Sequence, residues 1–250
     1  MTEFEKIYEK NKNEADLAKY GRIRSERERK QTEEKEARTR QEFEKIVAEE
    51  EKEARKERKI RAYLETVPKK YKGASFDGFR IEGQYKENHQ EVVDYMRTLA
   101  PLVLAGDNGA GKTYLGYAGC LKTVQRGGTA CLIVALDFFD EIKLSFKGKG
   151  PKSIIEKYGY YDYLVMDELD KTQGSRTEFI YLSRLVNFRD AEMLTTIILT
   201  NAIKTDVVKI VGPAVVDRVA GEGKLLELKV EESFRLKRRR ENEKLQKEKA

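Results

Sequence analysis

Three observations predict a parallel α/β sheet flanked by helices. Five apolar runs, near 101–105, 130–135, 162–167, 195–200 and 225–229, alternate with amphipathic helix-like segments. The first run leads straight into a glycine-rich turn that opens a helix. Ahead of the sheet, Thr2 to about Thr66 contains no proline and only Gly21 as glycine, and Glu, Lys and Arg dominate it. That composition predicts a long charged N-terminal helix.

The apolar pattern of this helix is poor. Phe4, Ile7, Leu17, Tyr20 and Ile23 give partial stripes, and Phe43, Ile46, Val47 and Ala54 give another. Ala37 is the only apolar residue between Arg24 and Glu42, so a sustained a/d seam, which a stable coiled coil requires, is absent. One reading is a solvated helix held by i,i+4 charge pairs, with short apolar stripes free to dock a partner. Disorder over part of it is the other. Val67-Pro68 then punctuates the chain and the globular domain starts near Tyr71. The expected division is 1–66, 67–235 and a basic tail, 236–250.

With 250 residues, 39% hydrophobic and 38% charged, the chain can bury one ordinary core and still carry much solvated sequence. Cys120 and Cys131 have no second ligand pair nearby, which argues against a disulfide framework or a zinc site. The N-terminus lacks an apolar signal core and no run of 18 apolar residues occurs, so a cytoplasmic, non-membrane protein is expected. The single histidine, His89, lies in a polar stretch and is expected to be exposed; histidine-dependent triads and proton shuttles are unattractive.

The formal charge of +6 is unevenly placed. Residues 1–60 hold 18 Lys/Arg against 17 Asp/Glu, residues 235–250 hold 8 against 3, and the remainder balances to zero. Nucleic-acid binding therefore has to come from local patches or from the tail Arg235-Leu236-Lys237-Arg238-Arg239-Arg240. That tail reads equally as a solvated, fraying helix end.

Between Leu102 and Thr113 the strand-like run meets Gly106-Asp107-Asn108-Gly109-Ala110-Gly111-Lys112-Thr113, a G-x-x-x-x-G-K-T spacing, and Tyr114 continues into the helix. Glycines let successive backbone N–H groups turn inward on phosphates, Lys112 reaches the β and γ phosphates, and the Thr113 hydroxyl suits Mg²⁺. After a whole intervening β-α unit, Leu164-Val165-Met166-Asp167-Glu168 is an apolar strand ending in two acids. This looks like a Walker B sequence, in which Asp167 holds Mg²⁺ through water and Glu168 polarises the attacking water. The next strand, Thr195 to Thr200, ends in Asn201, either a γ-phosphate sensor or an ordinary turn asparagine.

Together these elements resemble the additional-strand-catalytic-glutamate class of P-loop ATPases, and within it the AAA+ proteins. The resemblance implies ATP and Mg²⁺ as ligands and self-association into a ring or spiral, with an arginine inserted into the neighbouring site. Arg218, in Gly212-Pro213-Ala214-Val215-Val216-Asp217-Arg218, is the candidate finger; an Asp-Arg helix pair is its structural alternative. Only 15 residues follow Arg235, so the helical lid of most AAA+ proteins is not expected.

Residues from about 71 to 235 are more specifically similar to the lid-less AAA+ domain of the bacterial helicase loaders DnaC and DnaI and of their transposition relative IstB. The matching landmarks are Tyr71 with Ala74-Ser75-Phe76, Gly106 to Thr113, Val165 to Glu168, Leu199-Thr200-Asn201, Val216-Asp217-Arg218 and Ser233-Phe234-Arg235. By that resemblance Arg235 stands for the second sensor. It also implies that the helix after the second strand faces single-stranded DNA. Lys143, Phe146, Lys147 and Lys149 there supply charge plus a stacking ring, and Ser175 and Arg176 could add phosphate contacts. Alternatively Phe138, Phe139 and Phe146 are core and the lysines merely exposed.

The implied activity is ATP hydrolysis used as a switch by a loader of a hexameric replicative helicase of the DnaB type. A DnaC-like helical N-terminal segment would grip that helicase; the cysteine-bound zinc module of DnaI-like loaders has no counterpart before Cys120. The alternatives are an IstB-like helper of a transposase and a non-hydrolysing ATP-binding adaptor.

Overall fold

Strands β1 (Leu102–Gly106), β2 (Ala130–Val134), β3 (Tyr163–Asp167), β4 (Thr195–Leu199) and β5 (Lys224–Leu228) form one sheet in the order β2-β3-β4-β1-β5, and every pairing is parallel. β1 and β3 are buried at every position, which explains why they read as continuous apolar runs rather than alternating ones. The computed structural model describes the backbone of residues 3–234 and of 236, 237, 239, 240 and 243; before residue 38, side chains are described only at 3, 19, 25, 29, 30 and 35.

Two apolar layers sandwich the sheet, and the strand period of two assigns each residue to one of them. Val103, Ala105, Leu164, Met166 and Ile198 face one layer; Leu102, Leu104, Val165, Ile197 and Leu199 face the other. Over the first lie α4 (Ala135–Ser145), α5 (Pro151–Gly159), α6 (Arg176–Ala191), α7 (Val207–Val211) and α8 (Pro213–Gly221), through residues such as Phe138, Phe139, Leu182 and Val215. Over the second lie α2 (Lys86–Arg97) and α3 (Lys112–Gln125), through Val92, Met96, Leu115 and Val124. Helix α3 rests close on the sheet because position 119 is glycine: a Cβ there would strike the buried Tyr163 ring.

The N-terminal helix α1 runs Glu3–Thr66, and Arg40–Glu44 is one of its i,i+4 pairs, at 3.2 Å. It stops where Pro68 drives the preceding residue out of the helical region. The chain divides into two compact units, 1–55 and 56–250, with the division inside the helix. The reason lies in the last turns: Ile60 and Tyr63 pack on the second apolar layer and Lys59 Nζ donates to Gly127 O at 2.7 Å.

One expectation is corrected. His89 is 3% exposed, with Nε2 2.7 Å from Lys229 O and its ring edge-on to Phe79. One face of α2 is apolar; Glu87 and Gln90 are exposed, while Asn88 bonds the backbone of Glu227 and Lys229 beside His89. Cys120 and Cys131 are free thiols, and among the described residues no helix is long and apolar enough to cross a membrane.

Candidate nucleotide site

The carboxyl ends of β1, β3 and β4 converge on one edge of the sheet, because β4 lies between the other two. That edge is where open α/β sheets place their ligands. β1 leaves through Gly106, at φ 137°, where a Cβ would collide with Leu228 O of the adjoining β5. Gly109 and Gly111 take φ of 81° and 98°, a conformation costly for any other residue, and Gly111 caps α3. The loop therefore presents the first turn of α3, whose amides have no partner inside the helix and whose dipole favours an anion.

Lys112 is 5% exposed, and its ammonium donates to Gly106 O at 2.6 Å, Asp107 O at 2.8 Å and Asn201 Oδ1 at 2.9 Å. All three acceptors are uncharged oxygens, so phosphate oxygens are stronger partners for the same ammonium. Thr113 Oγ1 donates to Asp167 Oδ2 at 2.7 Å, and Asp167 Oδ1 accepts from the Glu168 amide at 2.8 Å. Burial raises the Asp167 carboxyl above its ordinary value; the hydrogen bonds from Thr113 and Glu168 and the charge of Lys112 only partly oppose this. No group of three or more acidic, histidine or cysteine residues among the described residues could hold a metal alone. One hydroxyl and one carboxylate beside a phosphate loop is instead the donor set that Mg²⁺ shares with nucleotide phosphates. The residues fit the expected ligand pair.

Glu168 has φ 58° and ψ 38°, a left-handed conformation that it shares with Leu99 and Met193 among the described non-glycine residues. Its carboxylate pairs with Lys171 Nζ at 2.6 Å, across the 3-10 turn Leu169–Lys171. Asn201 donates from its backbone N–H and its side-chain NH₂ to Asp170 of the same turn. Sequence reasoning missed Asp170 and Lys171, which the motif Asp167-Glu168 overshadows.

The cavity bounded by these groups is about 310 Å³, at the lower end of the range for small-molecule sites. Aromatic rings line part of it: Phe79 lies 6.2 Å from Tyr114 and 5.9 Å from Phe234 between ring centroids. Phe79 also closes against Gly111, and Tyr114 Oη accepts from the Ser75 amide at 3.2 Å. The cavity thus offers polar groups suited to phosphates and rings suited to a flat base. Phe79 and the neighbouring Arg80 escaped sequence analysis, for they belong to an irregular segment with no period to read.

Other expected residues lie apart from this cavity. Arg218 is on α8, donating to Ala214 O of its own helix at 3.2 Å; no ion pair joins it to Asp217 among the described residues. Arg235 lies outside the described residues, as does Arg238. Phe138 and Phe139 are core, whereas Phe146 is 58% exposed and packs its edge on Tyr181. Lys143, which pairs with Asp140, and Lys147 and Lys149 are all exposed around it. The Ser175 hydroxyl takes part in a capping box: it accepts from the Glu178 amide while Glu178 accepts from the Ser175 amide. That hydroxyl caps α6, and Arg176 is left exposed beside it.

The replicative helicase loader DnaC of Escherichia coli K12 is 26% identical over 156 residues, covering 60% of this chain and 64% of the relative. This chain thus spans just under two thirds of the length of the curated relatives it matches. The crystal structure of the DnaC helicase loader superposes with a TM-score of 0.57 at 19% identity, over 64% of this chain and 99% of that one. AMPPCP-bound DnaA from Aquifex aeolicus gives 0.57 at 20% identity, over 72% and 56%, and DnaI gives 0.55 at 16%, over 67% and 94%. These structures share the AAA+ fold of this chain. A family model, described as IstB-like ATP binding protein, matches residues 16–242, and the chain belongs to that family.

Proposed function

We propose that this chain is an ATP-binding and hydrolysing helicase loader, which assembles on a hexameric replicative helicase and places it on single-stranded DNA. The observation that carries the ATPase reading is the convergence of Lys112, Thr113, Asp167, Glu168 and Asn201 from three strand ends on one cavity that aromatic rings also line. The loader reading leans on the DnaC relatives and on the exposed basic and aromatic cluster around Phe146.

In this reading Lys112 turns from its loop carbonyls to the β and γ phosphates, and Phe79, Tyr114 and Phe234 receive the base. Mg²⁺, when bound beside Thr113 and Asp167, neutralises charge on the β and γ phosphates. Glu168 takes one proton of the attacking water as its oxygen bonds to the γ phosphorus. The bond to the β–γ bridging oxygen breaks, ADP leaves, and the second proton stays with the phosphate. Arg218 completes the site of a neighbouring copy in a ring or spiral, and Arg235 serves as the second sensor. Hydrolysis then acts as a switch that releases the loader.

Two measurements test this. Glu168→Gln and Arg218→Ala should lose ATP turnover alike, and mixing the latter with subunits that retain the arginine should restore it; unchanged turnover in Arg218→Ala removes the shared site. Pull-downs should compare the full chain with one lacking 1–55, a cut that spares Ile60 and Tyr63. Capture of a hexameric helicase only by the full chain supports the loader. The family model favours a second reading, an IstB-like helper of a transposase. Capture of a transposase, with duplex DNA preferred over single strands, establishes it instead.

A further inference from the structure

The turn after β3 carries a carboxylate with no place in the motif. Asp170 accepts from the Asn201 amide at 2.7 Å, from Asn201 Nδ2 at 3.2 and 3.0 Å through its two oxygens, and from Thr200 Oγ1 at 3.3 Å. On the opposite side of the same side chain, Asn201 Oδ1 accepts from Lys112 Nζ at 2.9 Å. An asparagine amide has one end that only accepts and one that only donates. Held between a carboxylate and an ammonium, it has a single workable orientation: reversed, its oxygen would face Asp170 and its NH₂ would face Lys112. The charges on either side decide the assignment.

We infer that Asp170 is a positioning residue that locks Asn201 with its oxygen toward the phosphate end of the cavity, so that Asn201 serves the reaction as a hydrogen-bond acceptor. A sensor asparagine could in principle donate to the γ phosphate through NH₂. Here Nδ2 reaches both Asp170 oxygens, at 3.2 and 3.0 Å, which turns the NH₂ end toward that carboxylate and the oxygen toward Lys112. The group turned toward the phosphate end is the oxygen, which can hold one proton of the attacking water while Glu168 takes the other. This inference rests on the ATPase reading above.

The test compares wild type, Asp170→Asn, Asn201→Asp and the exchanged pair Asp170→Asn/Asn201→Asp. Asp170→Asn keeps the volume but removes the charge that orients Asn201, and should lower kcat about tenfold. Its affinity for a fluorescent ATP analogue should stay within about twofold and its melting temperature within a few degrees. Asn201→Asp sets two carboxylates face to face and should fall at least as far. In the exchanged pair the amide introduced at position 170 donates to the carboxylate introduced at position 201, still leaving an oxygen toward Lys112, and kcat should recover to within about threefold of wild type. Independently, the side-chain amide signal of Asn201 in nucleotide-free protein, identified by its loss in Asn201→Asp, should shift strongly in Asp170→Asn. A wild type that hydrolyses ATP beside an Asp170→Asn variant with unchanged kcat overturns the inference, as does an exchanged pair no better than the single variants. Should wild type not hydrolyse ATP, the ATPase reading fails, and an Asn201 signal indifferent to Asp170→Asn overturns the positioning role by itself.

Discussion

The Thr113 hydroxyl donates to Asp167 Oδ2 at 2.7 Å, tying the first turn of α3 to the carboxyl end of β3 across 54 residues of sequence. The pair predicts how cation dependence responds to mutation. Thr113→Val keeps the shape but removes the oxygen, and should reduce Mg²⁺-dependent ATP turnover at least about a hundredfold, whereas Thr113→Ser stays within a few-fold. Turnover titrated against Mg²⁺ measures both, and equal loss in the two variants would argue against a cation at this oxygen.

Lys171 and Glu168 form an ion pair at 2.6 Å with 47% and 32% of their side chains exposed. A pair this accessible is worth at most about 1 kcal/mol, small enough to break during turnover and large enough to bias the glutamate. Lys171→Ala should therefore raise ATP turnover without a partner by about two- to fivefold and leave the melting temperature nearly unchanged. A fall in turnover would show that Lys171 assists the glutamate instead of restraining it.

Arg189 is fully buried. It donates to the carbonyls of Tyr158, Gly159, Tyr161 and Thr195 and to the Thr196 hydroxyl, fastening α6 to the segments that begin β3 and β4. Burial pushes its guanidinium down to about 10, with Asp162 opposing the shift, so it is charged at neutral pH. Arg189→Met should cost about 3–5 kcal/mol in urea unfolding, since it orphans several buried carbonyls together. Arg189→Lys should regain only part of that, having fewer donors and no planar fork.

Asp170 also predicts the shape of the acid limb. Burial would raise its carboxyl, but the hydrogen bonds from Asn201 and Thr200 outweigh burial and hold it below its ordinary value. A carboxylate depressed in the native state contributes stability that is fully present above the unfolded pKa, about 4, and is lost as pH falls through the native value. The stability difference between wild type and Asp170→Asn should be constant near neutrality and shrink below about pH 4. Urea unfolding over a pH series checks this, and a gap that widens with acid would contradict the sign.

On the proposed DNA face the structure separates residues that sequence reading grouped together. Phe146→Ala should weaken single-stranded DNA binding by about fivefold or more, the worth of one stacked base. Ser175→Ala should cost about 1 kcal/mol of stability as a lost helix cap and leave DNA affinity unchanged. A DNA defect in Ser175→Ala without a stability loss would restore the hydroxyl as a phosphate contact.

Much of this molecule is legible without coordinates where the controlling physics is local in the chain. Five continuous apolar runs, the glycine spacing from Gly106 to Gly111 and the acidic end of β3 each depend on a few consecutive residues, and all five strands form within a residue or so of their expected places. Local polarity misled in one case: His89 sits among polar neighbours, yet helical geometry turns it into the core.

Sequence alone determined the phosphate loop, the acidic strand end and the sheet class, because each is written in spacing and period. Only tertiary structure decided that Asp170 and Lys112 grip Asn201 from opposite sides, that Phe79 walls the cavity, and that residues 56–66 belong with the sheet. Those facts depend on which strands become neighbours. Inserting β4 between β1 and β3 brings together side chains from positions 112, 170 and 201 that no periodicity relates, and their opposite charges then dictate which way one amide points.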